Sequence, residues 1–244
     1  MEQDSKRIAL ITGANKGIGL EIARQLGRAE VRVVIGARDA ARGQAAAGML
    51  RGEGLDAGFV QLDVLDAAGI RDAAATLAAT YGRLDILVNN AGINDGADGP
   101  PGSAAIDAAR RLFDTNFFGP LAVTQAMLPL LRLAPAARIV NMSSSLGSMT
   151  VNGDPSSPYY GVHLIGYNAS KAALNMLTVQ LAQELRGTQI IVNAACPGYV
   201  STDLNGHTGY LSTTEAAAVP VRLALQRGPQ PNGAFLSVDG AVPW

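Results

Sequence analysis

Six short apolar runs, at residues 7–12, 31–37, 58–64, 84–89, 138–142 and 189–194, alternate with stretches of helical periodicity. This alternation constrains the fold more than any other feature. Strands that read as continuous apolar runs are buried on both faces, and helical crossovers supply the cover. A seventh run, 234–238, follows the last helix. Helices are expected at 17–28, 39–51, 66–81, 104–133, 167–186 and 213–226. Ile18, Ile22 and Leu26 form one stripe of the first, and Asp39 opens the second as an N-cap residue. The long stretch 104–133 is expected to kink near Pro120 or Pro129. Residues 145–166, heavy in Ser, Gly and Pro, and the polar 200–211 read as loops. The expected architecture is α/β, a doubly wound, mostly parallel seven-stranded sheet with helices on both faces. All 244 residues are expected in one domain.

A net charge of -1 with 16% charged residues gives no reason to expect nucleic acid or an anionic membrane as partner. No apolar run is long enough to span a bilayer. The polar residues 1–7 lead straight into the first strand, so no secretory leader is expected. Cys196 is the sole cysteine, which excludes a disulfide within the chain and fits a cytoplasmic location. It precedes a proline at a strand end and reads as packed. His163 and His207 read as isolated loop residues, and with no Cys/His cluster no metal is expected.

The first strand runs into Gly13, Ala14, Asn15, Lys16, Gly17, Ile18 and Gly19. Glycines here let the backbone turn sharply and approach a pyrophosphate, while the following helix presents free N–H groups and a positive dipole end. The spacing G-x-x-x-G-x-G differs from the common G-x-G-x-x-G, and a strand-to-helix turn without a ligand also fits it. The second strand ends Gly36-Ala37-Arg38, with no acid where an NAD-binding chain would hold the ribose hydroxyls. A guanidinium instead suits a 2′-phosphate. Lys16 would add a second positive charge, and Arg42 is a weaker candidate. Arg38 as an ordinary surface charge is the competing reading. Asp63, before Val64, is placed either to accept from the adenine amine or to cap the next helix. Asn89 reads as structural; Asn90, with the small Ala91 and Gly92, is the better ligand.

Tyr167 and Lys171 lie one helical turn apart and share a face. A nearby ammonium favours phenolate and lowers a tyrosine pKa, which would let Tyr167 exchange a proton with a carbonyl oxygen. A Tyr and a Lys at this spacing also often snorkel on an ordinary surface helix. One of the serines 143–145 can hold the substrate oxygen, but which one is ambiguous. Asn116, in an apolar helical stretch, needs buried partners and is placed to hold a water that relays protons to Lys171. The sixth strand ends at Cys196, Pro197, Gly198, Tyr199 and Val200, and Thr202 is placed to bond a nicotinamide amide.

In this order and spacing the motifs resemble the short-chain dehydrogenase/reductase family over nearly the whole chain. The resemblance implies a Rossmann-like fold and hydride exchange between nicotinamide and a carbonyl carbon. It implies Tyr167 as acid/base, Lys171 as its pKa partner and a ribose ligand, Ser144 on the substrate oxygen and Asn116 in a proton relay. The cofactor contacts it implies are Gly13, Asn15, Lys16, Gly17, Ile18, Gly19, Asp63, Val64, Asn90, Ala91, Gly92, Pro197, Gly198, Val200 and Thr202, beside Arg38. Residues 15–19, 37–46 and 115–119 look most like the NADPH-dependent carbonyl reductases, so NADPH is expected over NAD and a small carbonyl or alcohol as substrate. The span from Ser144 to Tyr167 is roughly ten residues longer than most of the family shows and shorter than in those reductases.

Two alternatives compete, an NAD-linked alcohol dehydrogenase and a non-catalytic NADP(H)-sensing protein. Arg38 disfavours the first, and the intact set Asn116, Ser144, Tyr167 and Lys171 disfavours the second. The helix from Tyr167 carries a second largely apolar stripe, Ala172, Met176, Val179 and Gln183. A homodimer or tetramer through this stripe is favoured slightly over a monomer in which residues 159–165 fold across it.

Overall fold

The computed structural model describes residues 6–226 and 231–244. Of the polar N-terminal lead, residues 1–5 therefore lie outside the described residues. The strands are β1 (Ile8–Thr12), β2 (Arg32–Ala37), β3 (Ala57–Gln61), β4 (Ile86–Asn89), β5 (Ala137–Met142), β6 (Ile190–Ala195), β7 (Phe235–Ser237) and β8 (Gly240–Ala241). They form one sheet in the order β3-β2-β1-β4-β5-β6-β7-β8. Every pairing is parallel except that of β7 with β8.

The helices are α1 (Gly17–Arg28), α2 (Ala40–Gly52), α3 (Ala67–Tyr81), α4 (Ile106–Phe113), α5 (Gly119–Arg132), α6 (Met149–Gly153), α7 (Ile165–Glu184) and α8 (Thr213–Leu225). Strand side chains alternate between faces, so β1 feeds two cores. Ile8 and Leu10 join Leu77 of α3, Met127 of α5 and Leu174 of α7. Ala9 and Ile11 join Ile22 of α1, Leu50 of α2 and Leu223 of α8. The strand order reverses between β1 and β4, and ligands of such sheets bind in the crevice beyond the strand C-termini at that reversal.

The doubly wound α/β fold is as expected, with eight strands rather than seven. The short β8 pairs back onto β7 across a two-residue turn, and Gly240-Ala241 carries no strand pattern of its own. The expected helix over 104–133 is two helices joined by a π turn, Asp114–Phe118. Pro120 has no N–H to offer the Asn116 carbonyl, so the regular ladder is interrupted one turn before it, whereas Pro129 is carried inside α5. The segment 145–166 is not all loop. It holds a 3-10 turn, Ser145–Gly147, and α6, each opened by a serine N-cap, and α7 starts two residues before Tyr167. β3 stops at Gln61, so Asp63 and Val64 stand beyond it.

Candidate active site

Gly13, at φ +63°, would place a Cβ 3.0 Å from the Ala91 Cα, and a Cβ on Gly19 would lie 2.4 Å from Asn90 Nδ2. The loops after β1 and β4 therefore touch, and only glycine permits it. Thr12 Oγ1 accepts from the backbone N–H groups of Asn90 and Ala91, both at 3.0 Å. Asn90 Nδ2 donates to the Thr12 carbonyl at 2.9 Å. The Asn90 amide thus joins the two loops, while Asn89 Nδ2 donates to Thr124 Oγ1 and Asn141 Oδ1 inside the core.

Gly17, at φ +59°, faces open space, and Lys16, the N-cap position of α1, makes no side-chain cap. Uncapped N–H groups at the N-terminus of a twelve-residue helix, beside a cleft kept open by glycine, suit a phosphate. Asn15 and Ile18 flank this turn. Arg38 is exposed just beyond β2, and among the described residues only its carbonyl is engaged, by Gln61 Nε2 at 3.1 Å. Arg42 lies 3.9 Å from Asp39, the N-cap of α2. Asp63 accepts from the Leu65 N–H at 3.0 Å, holding the turn before α3, and Asp66 caps α3 itself. Val64 packs against Gly119, where a Cβ would come within 2.9 Å of it. These features fit a dinucleotide carrying an extra phosphate near Arg38.

At the chemical end, α7 brings Tyr167 and Lys171 to the C-terminal ends of β4 and β5. Lys171 is 5% exposed, and its Nζ donates to the Met142 carbonyl at 2.9 Å. A Cβ on Gly92 would lie 3.2 Å from Asn116 Oδ1 and 3.5 Å from Lys171 Nζ, so Gly92 keeps open the gap between them. Asn116 sits in the π turn, fully buried. Its Oδ1 accepts from Ile93 N at 2.9 Å, and its Nδ2 donates to the Ile93 carbonyl and to Ser170 Oγ, both at 3.1 Å. A π turn at such a position is a frequent mark of a functional site.

The three serines meet different partners. Ser143 Oγ is buried and donates to Asn175 Oδ1 at 2.6 Å. Ser145 Oγ lies 3.2 Å from Cys196 Sγ. Ser144 Oγ accepts from the Leu146 N–H at 3.2 Å as the N-cap of the 3-10 turn, and it lies close enough to the Tyr167 phenol to lower its pKa. Burial pushes Tyr167 up to about 12, a shift the neighbouring Cys196 reinforces and the Ser144 hydrogen bond opposes. Burial also brings Lys171 down to about 8. In the chain by itself desolvation therefore outweighs the expected lowering of the tyrosine by the ammonium. The phenol is desolvated although the tyrosine as a residue keeps some exposed surface.

Beyond β6, Pro197 ends the strand and Gly198, at φ +81°, admits the Leu211 side chain. Val200 is buried and bridges to Leu211. Thr202 and Asn205 form a capping box on the 3-10 turn Asp203–Asn205, so residues 200–211 are more ordered than their polarity implied. Three site residues carried no sequence signal of their own. Cys196 is packed, as read, but lies close enough to add to the rise at Tyr167 and Tyr159 and to oppose the fall at Lys171. Asp203 bonds Lys16 of the glycine loop at 2.5 Å and His207 Nε2 at 2.9 Å. Asp98 bonds the start of α7. Among the described residues no cluster of His, Cys, Asp and Glu can hold a metal, and no helix is long and apolar enough to cross a membrane.

The chain is similar to known proteins over nearly its whole length. The chain is 34% identical to (-)-isopiperitenone reductase of Mentha piperita, covering 97% of this chain and 98% of that protein. It is 36% identical to carbonyl reductase (NADPH) 1 of Sus scrofa, covering 98% and 94%. The NADPH-bound carbonyl reductase from chicken fatty liver superposes with a TM-score of 0.86 at 30% identity, covering 98% of this chain and 99% of that one. The family model described as short chain dehydrogenase matches residues 7–210, and the chain belongs to that family of oxidoreductases.

Proposed function

We propose that the chain is an NADPH-dependent reductase of a small ketone or aldehyde. The observation that carries this reading is the placement of Lys171 Nζ 5.6 Å from the centre of the Tyr167 ring and, across the Gly92 gap, beside the buried Asn116. NADPH, when bound, supplies the hydride. Gly13, Lys16, Gly17, Ile18 and Gly19 would hold its phosphates, Arg38 its 2′-phosphate, and Ala91, Gly92, Lys171 and Thr202 its nicotinamide half. Carbonyl reductases named for NADPH among the relatives support this choice of cofactor.

The chain's own groups handle the proton. The substrate oxygen lies between the Ser144 and Tyr167 hydroxyls. Reduction needs a donor that is still protonated at neutral pH, and a phenol pushed up to about 12 is one. As the alkoxide develops, Tyr167 releases its proton to it and Ser144 keeps its hydrogen bond. Lys171, beneath the phenol and beside Asn116 across the Gly92 gap, is placed to return a proton through water.

The test is NADPH consumption across a panel of ketones and aldehydes, with the wild-type chain and Tyr167→Phe. The variant should bind NADPH normally and lose roughly 10²–10⁴-fold in turnover. A Tyr167→Phe rate near wild type would reject the reading.

A further inference from the structure

We infer that Asp98 is the positioning residue for Tyr167: its carboxylate holds the first turn of α7 and so sets the phenol against Ser144. The inference rests on the reading of Tyr167 as proton donor. A helix leaves its first N–H groups without partners inside the helix. At the start of α7 the N-cap position is Leu164, whose side chain has nothing to accept with. The missing acceptors come from a distant loop. Ile165 N donates to the Gly99 carbonyl at 3.0 Å. Gly166 N donates to Asp98 Oδ1 at 2.9 Å, and Tyr167 N donates to Asp98 Oδ2 at 2.8 Å.

Both oxygens of one carboxylate are thus used on consecutive N–H groups, the second belonging to Tyr167 itself. The carboxylate is itself fixed, because Gly99 N donates to Oδ1 at 2.9 Å. Asp98 N donates to the Asp95 carbonyl at 3.0 Å, and Asp95 is held by Arg111 at 2.8 Å from α4. The approach is close as well. A Cβ on Gly166 would lie 2.8 Å from Leu112 Cδ1, 2.9 Å from Ala109 Cα and 3.1 Å from Asp98 Oδ1.

The topology explains why such an anchor is needed. Ser144 is fixed by the end of β5, but the chain then makes the long excursion through α6 before it returns at Ile165. A connection of that length does not fix where α7 begins. Asp98 does, and it sits on the loop that follows Gly92 and Ile93, the partners of Asn116. One carboxylate ties the glycine-side loop to the helix that carries the phenol. Displacing a reacting group by about 1 Å can cost on the order of 10²-fold in rate.

The test compares Asp98→Asn and Asp98→Glu with Asp66→Asn, which removes a capping carboxylate from α3, a helix that carries no residue of the site. An amide has one acceptor oxygen and cannot serve both N–H groups. Asp98→Asn should lower kcat by ~10-fold or more with NADPH affinity nearly unchanged, and Asp66→Asn should leave kcat alone. Asp98→Glu keeps both oxygens on a longer arm, so its kcat should fall less. If the asparagine variant does not fold, the glutamate variant decides by the same split between kcat and NADPH affinity. Wild-type kcat in a folded Asp98 variant, or an equal loss in Asp66→Asn, overturns the inference. Collapse of Tyr167→Phe beside a normal Asp98→Asn would reject the positioning role alone, whereas an active Tyr167→Phe would reject the proton donor.

Discussion

Lys171 Nζ lies 5.6 Å from the centre of the Tyr167 ring and points past it to the Met142 carbonyl. The spacing of four residues does put the two side chains on one face, as the sequence implies. It does not put the ammonium on the phenol oxygen. Lys171 is anchored to the strand end, and both groups are pushed towards their neutral forms by burial. The pair is therefore organised for a protonated phenol.

Burial of Lys171 makes stability depend on pH. Its folded pKa, about 8, lies below the ordinary 10.5. Between these values the unfolded chain holds a proton that the folded chain has lost, so stability rises with pH across that window. Below about pH 8 both states are protonated and the folded chain carries the full penalty. Wild-type stability minus that of Lys171→Met should grow between pH 8 and 10 by roughly 2 kcal/mol. Tyr167 acts with the opposite sign. Its pKa is raised from 10 to about 12, so it removes stability as pH climbs above 10. Urea unfolding of both proteins at pH 7, 9 and 10 measures the difference, and a flat difference would show that Lys171 titrates normally.

The parts of the site that follow a strand directly were legible. Gly13, Gly19, Asn90 and Gly92 sit where the sequence puts them because a strand end and a required glycine are both local signals. What needed the structure was contact between distant loops. Ser144 could be separated from Ser143 only by finding Asn175 against the latter. Asp98 has no pattern around it, since its partners, Gly166 and Tyr167, lie 68 and 69 residues on. The π turn at Asn116 was hidden because helical periodicity continues through it and only the backbone ladder changes. Burial raises the Tyr167 pKa in the chain by itself, where the neighbouring charge alone implies a lowering, because sequence shows the charge but not desolvation.

Cofactor choice is expected to rest on Arg38. It is exposed, its side chain makes no hydrogen bond or ion pair to the described residues, and no acid stands at Ala37. Loss of a charge-assisted phosphate contact costs on the order of 1.5–3 kcal/mol. Arg38→Ala should weaken NADPH binding by about 10-fold or more and leave NADH nearly unaffected. Titration of both cofactors by fluorescence checks this, and a wild-type chain that binds NADH as tightly as NADPH would remove the assignment.

Assembly is expected through the outer stripe of α7. Met176 is 55% exposed, Ala172 and Val179 are partly exposed, and the inner stripe is packed in the core. The segment before α7 does not cover this stripe. It is held at the N-terminal end instead, where Asn168 Nδ2 donates to Asn152 Oδ1 and the Val162 carbonyl. A helix apolar on two sides calls for cover on both. Light scattering at micromolar concentration should give a dimer or tetramer, and Met176→Glu should shift it towards monomer. A monomeric wild-type chain would show that the stripe is left to solvent.

Residues 200–211 are expected to act as a lid over the cofactor crevice. Their two ends are pinned to each other by the Val200–Leu211 bridge, so the segment can move as one flap. Gly206 and His207 both adopt positive φ, 61° and 63°, which concentrates the bend at one point. The flap follows β6, and its Asp203 pairs with Lys16 of the glycine loop after β1. Lys16 is the same cation expected to meet the cofactor phosphate, so the carboxylate and the phosphate compete for it. The pair is 59% and 57% exposed at its two ends, so solvent screens it and a bound phosphate can displace it. Hydrogen exchange across 200–211 should therefore slow when NADPH is added, as the flap orders over the crevice. Asp203→Ala should speed exchange without cofactor and tighten NADPH binding slightly, because Lys16 is freed. Identical exchange with and without NADPH would show that the segment is fixed and that the crevice fills without it.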